Sequence, residues 1–175
     1  MLLDFLLSLD GKILLFIQEF LRFQWLTPVM KFITTLGNGG AIWIVLAVIL
    51  ISTKQYRKTG TGMAVALIVG YLITNLILKN LIIRPRPYEV MEGIQALIGP
   101  LKDSSFPSGH TTSAIAAGFV MLKGTRKYIG IPAFVLAVLI AYSRLYLGVH
   151  YPTDVLVGAI IGLFAAFTGK YIAKA

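Results

Sequence analysis

Long apolar segments separated by short basic loops constrain the fold of this chain more than any other feature. Residues 61–83, 128–146 and 152–172 approach or reach the roughly 20 residues that cross the core of a bilayer. Residues 41–53 and 109–122 are shorter apolar segments. Only 13% of the 175 residues are charged, whereas soluble domains carry about 25%. The pattern predicts an all-α, polytopic membrane helical bundle.

The first 36 residues follow a different pattern, because charged residues recur among the apolar ones and Pro28 interrupts them. Lys12, Glu19, Arg22 and Lys31 are among these charged residues. We expect residues 1–36 to form amphipathic helices at the membrane interface, with a broken span as the alternative. The chain is then a single domain, residues 1–175, whose helical core covers 37–175. It has five spans, or six if the N-terminal region crosses.

The basic loops predict the orientation of the bundle. Alternating spans place residues 54–60, residues 123–127 and the C-terminal Lys170 and Lys174 on one face, and positively charged loops face the cytoplasm. The formal net charge of +9 then reflects topology and anionic headgroups, and no nucleic-acid partner is expected. The absence of cysteine excludes disulfides and thiolate metal sites. We expect an integral, multi-pass protein of the cell membrane with a cytoplasmic C-terminus.

Three short polar segments interrupt the apolar sequence, and alternating spans place all three on the extracytoplasmic face. They are residues 79–87, residues 107–110 and residues 143–154. Together they contain both histidines of the chain, His110 and His150. Ionisable groups are costly near the core of a membrane, so this concentration indicates a functional site.

The first two polar segments contain groups that bind anions. Lys79 and Arg86 are seven residues apart, so they share one face if the helix continues, and both side chains bind phosphate. Ser108 is a favourable N-cap, Gly109 lets an anion approach the backbone, and a helix N-terminus binds phosphate. The simpler interpretations are cations that snorkel to the interface and an ordinary capped helix with an interfacial histidine.

The third polar segment pairs a histidine with a carboxylate. His150 and Asp154 are four residues apart, so a helix would place them on one face. A carboxylate that accepts the proton of one ring nitrogen leaves the other nitrogen basic, which suits histidine as a nucleophile. One histidine could then attack phosphorus while the other protonates the leaving group. The alternatives are a surface His/Asp pair and a metal site, but a metal site would require more ligands than these segments contain.

The spacing of the three segments resembles a known family. Six residues separate Lys79 from Arg86-Pro87, Pro107-Ser108-Gly109-His110 follows, and Ser143-Arg144 precedes His150 and Asp154. This arrangement is similar to the three-part signature of the type 2 phosphatidic acid phosphatase superfamily. The resemblance implies that His150 is the nucleophile, Asp154 its orienting partner and His110 the general acid. It assigns phosphate binding to Lys79, Arg86, Ser108, Gly109 and Arg144.

Arg84 lies outside this signature, and we treat it as a contact of the lipid headgroup. An apolar chain without a large soluble insert resembles the lipid phosphatases of the family, which implies a membrane lipid phosphate as substrate and no cofactor or metal. The candidates are undecaprenyl diphosphate, phosphatidylglycerophosphate and phosphatidic acid. The alternatives are a lipid-binding or lipid-flipping protein that keeps the pocket and a vanadate-binding haloperoxidase, although haloperoxidases are soluble and larger.

Overall fold

A computed structural model describes residues 2–173, with side chains from residue 7 onward, and all regular structure in this part of the chain is helical. The helices are α1 (Leu2–Phe16), α2 (Leu26–Leu36), α3 (Ala41–Ser52), α4 (Arg57–Tyr71), α5 (Lys79–Leu81), α6 (Pro87–Val90), α7 (Gly109–Gly124), α8 (Lys127–Tyr146) and α9 (Pro152–Ile172). A π-helical segment, Leu72–Leu78, joins α4 to α5. The prediction of an all-α fold is confirmed.

Helix α7 is the centre of the bundle, since it packs against α4, α8 and α9. Its buried face consists mostly of small residues, among which Ala114, Ala116 and Ala117 are fully buried. A Cβ atom at Gly162 of α9 would lie only 2.8 Å from the carbonyl oxygen of Thr112. In a bilayer the hydrophobic effect does not drive helices together, so their association depends on close packing. The small residues of α7 and α9 let the two backbones approach closely.

The outward-facing surface of the helices is apolar, as expected for a protein surrounded by lipid. Ile44, Val48, Ile68, Ile160 and Phe164 are each more than half exposed. A soluble protein rarely exposes contiguous apolar patches of this kind. The prediction that the bundle is embedded in a membrane is therefore confirmed.

Fewer helices qualify as candidate spans by length and composition than the five to six spans that were predicted. Three helical stretches of the described chain are long and apolar enough to cross a bilayer, namely Arg57–Leu81, Lys127–Tyr146 and Pro152–Ile172. The pair Leu26–Leu36 and Asn38–Ser52, bent by 46°, gives a fourth if it is one span. Helix α7 has only 16 residues. The prediction of five to six spans is not confirmed.

The N-terminal helix is attached to the bundle at the end where α9 begins. Asp10 and Leu14 are buried there, and Leu14 packs against Ile94 and Tyr151. Arg22 donates a hydrogen bond of 2.8 Å to the carbonyl oxygen of Tyr146 at the end of α8. The amphipathic, interfacial character of residues 1–36 stays a prediction. Lys174, which was predicted to lie on the cytoplasmic face, lies outside the described residues.

Candidate active site

The three polar segments meet in one cavity, with a volume of about 720 Å³. The start of α5, the start of α7, the end of α8 and the turn before α9 surround its polar part. The predicted site residues that line the cavity are Lys79, Arg86, Gly109, His110, Arg144 and His150. Ser108 and Asp154 are fully buried beside them. The two loops predicted to be cytoplasmic meet elsewhere, where the Thr59 hydroxyl donates to the Gly124 carbonyl oxygen at 2.8 Å.

His150 is buried in the turn before α9, with only 2% of its side chain exposed. Its Nε2 atom lies 3.3 Å from Nη1 of Arg86. A guanidinium group can only donate, so Nε2 keeps its lone pair and the proton of the neutral ring is on Nδ1. Burial, followed by the charges of Arg144, Arg86 and Lys79, lowers the pKa of His150 well below its ordinary value. The ring is therefore a neutral imidazole whose Nε2 lone pair faces the guanidinium group of Arg86.

His150 and Asp154 lie close together, but they do not share a helix face as the spacing predicted, and Nδ1 of His150 has no hydrogen-bond partner among the described residues. Helix α9 begins at Pro152, and the residue before a proline is pushed into extended conformation, as Tyr151 shows with φ −77° and ψ 154°. His150 therefore precedes the helix, and the turn brings its Nδ1 to 3.5 Å from Oδ2 of Asp154. This distance exceeds that of an ordinary hydrogen bond.

Asp154 is held by donors other than histidine. Its Oδ2 atom accepts hydrogen bonds from the Ser105 hydroxyl at 2.5 Å and from the Tyr151 backbone N–H at 2.9 Å. Its Oδ1 atom accepts from Arg84 at 2.5 Å. These bonds fix both oxygens of the carboxylate, so the negative charge next to the His150 ring has a defined position.

Arg84 contacts carboxylates of the protein, so the prediction that it binds a lipid headgroup is wrong. Its guanidinium group donates to Asp154 and also to Asp10 and the Thr153 hydroxyl, both at 2.8 Å. It lies 3.7 Å from the centre of the Tyr151 ring. Sequence reasoning missed Asp10. The available signal was a lone carboxylate in a largely apolar segment, where an unpaired charge is costly.

Lys79 and Arg86 are brought together by Asp103, not by a shared helix face. Helix α5 ends at Leu81, and the prolines on both sides of Arg86 hold the chain extended there. Asp103 accepts hydrogen bonds from Lys79 Nζ and, at 2.7 Å, from Nη2 of Arg86. Partial burial raises the pKa of Asp103, but Lys79 and Arg86 outweigh this effect and lower it to about 2. Sequence reasoning missed Asp103, which belongs to no motif.

The second polar segment begins α7 as predicted. Ser108 is the N-cap, and its Oγ atom accepts a bond of 3.4 Å from the Thr111 backbone N–H. His110 lies in the first turn, and its Nε2 atom is 2.9 Å from Oδ1 of Asn38. Asn38 is another residue that sequence reasoning missed, because it stands in the glycine-rich break between α2 and α3.

Arg144 is almost completely buried at the end of α8, with 2% of the residue exposed. Its Nη1 atom donates to the Thr34 hydroxyl at 2.5 Å, whereas its Nε atom has no hydrogen-bond partner. A buried donor without a partner is unfavourable. An anion in the cavity would supply the missing acceptor.

The charges around the cavity favour an anion. Three cationic side chains line it, those of Lys79, Arg86 and Arg144, and Asp103 is the carboxylate that lines it. Guanidinium groups bind phosphate with paired hydrogen bonds. In the described part of the chain no three His, Cys, Asp or Glu side chains are grouped so that they could hold a metal ion.

The remainder of the cavity is apolar and runs between α3 and α4. Ile44, Val48 and Ile51 line it from α3, and Leu67 and Ile68 from α4. Ile44, Val48 and Ile68 are also exposed on the outer surface, so the cavity opens between these two helices toward lipid. The arrangement can hold an anionic group at one end and an apolar chain at the other.

Comparison with known proteins agrees with this arrangement. Residues 59–175 match the family model of the PAP2 superfamily. The chain is 37% identical to the undecaprenyl-diphosphatase BcrC of Bacillus subtilis, over 81% of this chain and 72% of that protein. The crystal structure of Aquifex aeolicus LpxE is similar, with a TM-score of 0.81, 29% identity and coverage of 90% and 92% of the two chains. A transmembrane PAP2-type phosphatidylglycerolphosphate phosphatase from Bacillus subtilis has a TM-score of 0.76 and 31% identity, with 95% and 85% covered.

Proposed function

This chain belongs to the PAP2 superfamily and is a membrane lipid phosphatase, and we propose that it acts through a phosphohistidine on His150, without a metal ion. One observation supports the proposal most directly. His150 is a buried, neutral imidazole, and the lone pair of its Nε2 atom lies beside Arg86 in a cavity with two further cations. A phosphoryl group bound by these cations would meet a nucleophile in the correct protonation state.

The first chemical step transfers the phosphoryl group to histidine. The lone pair of His150 Nε2 forms a bond to phosphorus while the bond between phosphorus and the leaving oxygen breaks. His110 takes up a proton together with the anionic substrate, whose negative charge favours the imidazolium form, and gives that proton to the leaving oxygen. The oxygen leaves as the lipid alcohol, or as the lipid monophosphate if the substrate is a diphosphate. Lys79, Arg86 and Arg144 stabilise the charge on the equatorial oxygens. Asp154 stabilises the positive charge that develops on the ring of His150.

The second step returns the enzyme to its initial state. Water attacks phosphorus, and the neutral His110 takes a proton from it. The bond between phosphorus and Nε2 breaks, its electron pair returns to the ring, and inorganic phosphate leaves. No group beyond the described side chains is needed, because the cations provide the electrostatic stabilisation that a metal would provide elsewhere.

The substrate we propose is an isoprenoid or glycerolipid phosphate: undecaprenyl diphosphate, phosphatidylglycerophosphate or phosphatidic acid. The apolar part of the cavity supports a lipid over a soluble phosphate ester, and the names of two similar proteins include undecaprenyl-diphosphatase and phosphatidylglycerolphosphate phosphatase. We further propose that the site faces the extracytoplasmic side, because the basic loops 54–60 and 123–127 lie away from it.

The test is phosphate release by the purified protein in detergent, with a panel of diphosphate and monophosphate lipids in EDTA. We expect turnover of at least one lipid in chelator and a phosphoenzyme that is stable to base and labile to acid. His150→Ala should lose both, whereas Tyr128→Ala, at an exposed position, should keep both. Turnover that requires an added metal, or that survives in His150→Ala, would contradict the mechanism. A protein that only binds or flips lipid would release no phosphate.

A further inference from the structure

We propose that Asn38 is a positioning residue for His110, holding the imidazole in the orientation that protonates the leaving group. The inference rests on the proposed function. Asn38 lies in the bend between α2 and α3, outside residues 59–175 that match the family model and outside all three polar segments. Its Oδ1 atom lies 2.9 Å from Nε2 of His110.

The bend between α2 and α3 is shaped to close on the imidazole ring. Gly39 and Gly40 have φ values of +58° and +69°, which residues with a side chain rarely adopt. A Cβ atom on Gly37 would lie 2.9 Å from Cδ2 of His110 and 2.9 Å from Cγ2 of Ile140. The backbone at Gly37 therefore packs against the ring, while the side chain of Asn38 binds its nitrogen.

Asn38 is the hydrogen-bond partner of the His110 ring within the described part of the chain. The charged or titratable groups whose electrostatic effect reaches the ring belong to four other elements: Arg144 of α8, His150 of the turn before α9, Lys79 of α5 and Asp103 of the loop before α7. None of these four makes a hydrogen bond to the ring in the described structure. Without Asn38 the imidazole would therefore lose its polar anchor and be free to turn about its χ2 angle. A general acid that is not oriented loses much of its effect.

A second residue of the same region provides an internal comparison. Thr34, in the last turns of α2, is buried, and its hydroxyl accepts a hydrogen bond of 2.5 Å from Nη1 of Arg144. Arg144 would bind phosphate, whereas His110 would act on the leaving oxygen. Disturbing Thr34 should therefore affect all substrates alike, and disturbing Asn38 should affect mainly those whose leaving group requires a proton.

The experiment measures release of the leaving group in the first turnover, with enzyme in excess, so that hydrolysis of the phosphoenzyme does not contribute. A lipid alkyl phosphate has a poor leaving group, and p-nitrophenyl phosphate has a good one that needs no proton. Asn38→Ala should slow the lipid roughly 10- to 100-fold, part of the 100- to 10,000-fold that general acids contribute. It should slow the aryl ester by less than about threefold, because its departure does not depend on His110.

Three further variants complete the design. Thr34→Val should slow both substrates by the same factor, and Gln55→Ala, which removes an exposed amide side chain in the loop between α3 and α4, should slow neither. In a His110→Ala background, Asn38→Ala should have no additional effect, since residues that act through one another are not additive. Equal losses on both substrates, or full additivity with His110→Ala, would overturn the role of Asn38 while the phosphatase mechanism stands. If the wild-type protein released no phosphate, the proposed function would be refuted, and the inference about Asn38 would be refuted with it.

Discussion

Replacing Arg84 should destabilise the folded protein strongly, because its guanidinium group lies between two buried carboxylates and donates a hydrogen bond to each. Asp10 is 2% exposed and Asp154 is fully buried, and Arg84 donates a hydrogen bond to each of them. Asp10 also accepts from the backbone N–H and the hydroxyl of Thr153, at 2.9 and 2.6 Å. In Arg84→Ala the two carboxylates keep some donors but lose the cation that, within the described part of the chain, is hydrogen-bonded to both.

The size of the expected loss of stability follows from the burial of the two carboxylates that Arg84 contacts. Removing one partner of a buried ion pair costs about 3–5 kcal/mol, and the contact of Arg84 with the Tyr151 ring adds about 1 kcal/mol or less. A chain of 150–250 residues shifts its melting temperature by about 2–4 °C per kcal/mol. The ion-pair loss alone then corresponds to about 6–20 °C.

The assay is thermal unfolding of the purified protein in one detergent at fixed pH and scan rate. Arg126→Ala is the matched control, because Arg126 is exposed near the opposite end of α7, and it should shift the midpoint little. Adding Asp10→Asn to Arg84→Ala should recover part of the loss, since it removes one uncompensated charge. A midpoint of Arg84→Ala within about 2 °C of the control, under 1 kcal/mol for a chain of this size, would refute the reasoning.

Three other substitutions test contacts around the cavity and the bend between α2 and α3. Asp103→Asn should release Lys79 and Arg86 from their carboxylate partner, so that both cations bind an anion more strongly. The vanadate concentration that gives half-inhibition should then fall several-fold. Equal inhibition of the variant and the wild type would show that Asp103 does not compete with the anion. Because the pKa of Asp103 is lowered to about 2, from about 3.9 when unfolded, its pairing stabilises the wild type above pH 4. That contribution should fade as the pH falls toward 2, so the melting temperatures of the wild type and Asp103→Asn should converge there. Gly37→Ala should slow lipid hydrolysis, because the new methyl group would lie 2.9 Å from atoms of both His110 and Ile140. A methyl group at Gly39 would have no neighbouring atom within 4 Å. Gly39→Ala should therefore cost about 1–2 kcal/mol of stability through backbone strain, while the folded molecules keep their turnover.

The sequence predicted the parts of the site that local rules determine. The N-cap at Ser108 follows from side-chain chemistry at a helix start. Asp154 does lie near His150, but through the turn before α9 and not through the helical spacing from which this was predicted. Hydropathy predicted the all-α membrane bundle. It did not give the number of spans, because length and composition do not distinguish a short embedded helix such as α7 from one that crosses.

The contacts that were missed depend on tertiary structure. Asp10, Asn38 and Asp103 stand alone in segments without a motif, and each meets its partner only after distant segments pack. The sequence also did not predict the carboxylate contacts of Arg84, because nothing near Arg84 in the chain indicates that Asp10 of α1 lies within hydrogen-bond distance. Proline geometry was available in the sequence, however, and it could have shown that neither Arg86 nor His150 continues a helix.

The opening of the cavity between α3 and α4 bears on how a substrate arrives. A lipid can diffuse laterally from the bilayer into that opening. Its headgroup then moves only a short distance to the site, and its apolar chain is not exposed to water. The quantity that sets the encounter rate is then the number of substrate molecules per unit area of the surrounding leaflet. Detergent added to purify the protein would dilute that population, and a detergent molecule that entered the opening would compete with the substrate.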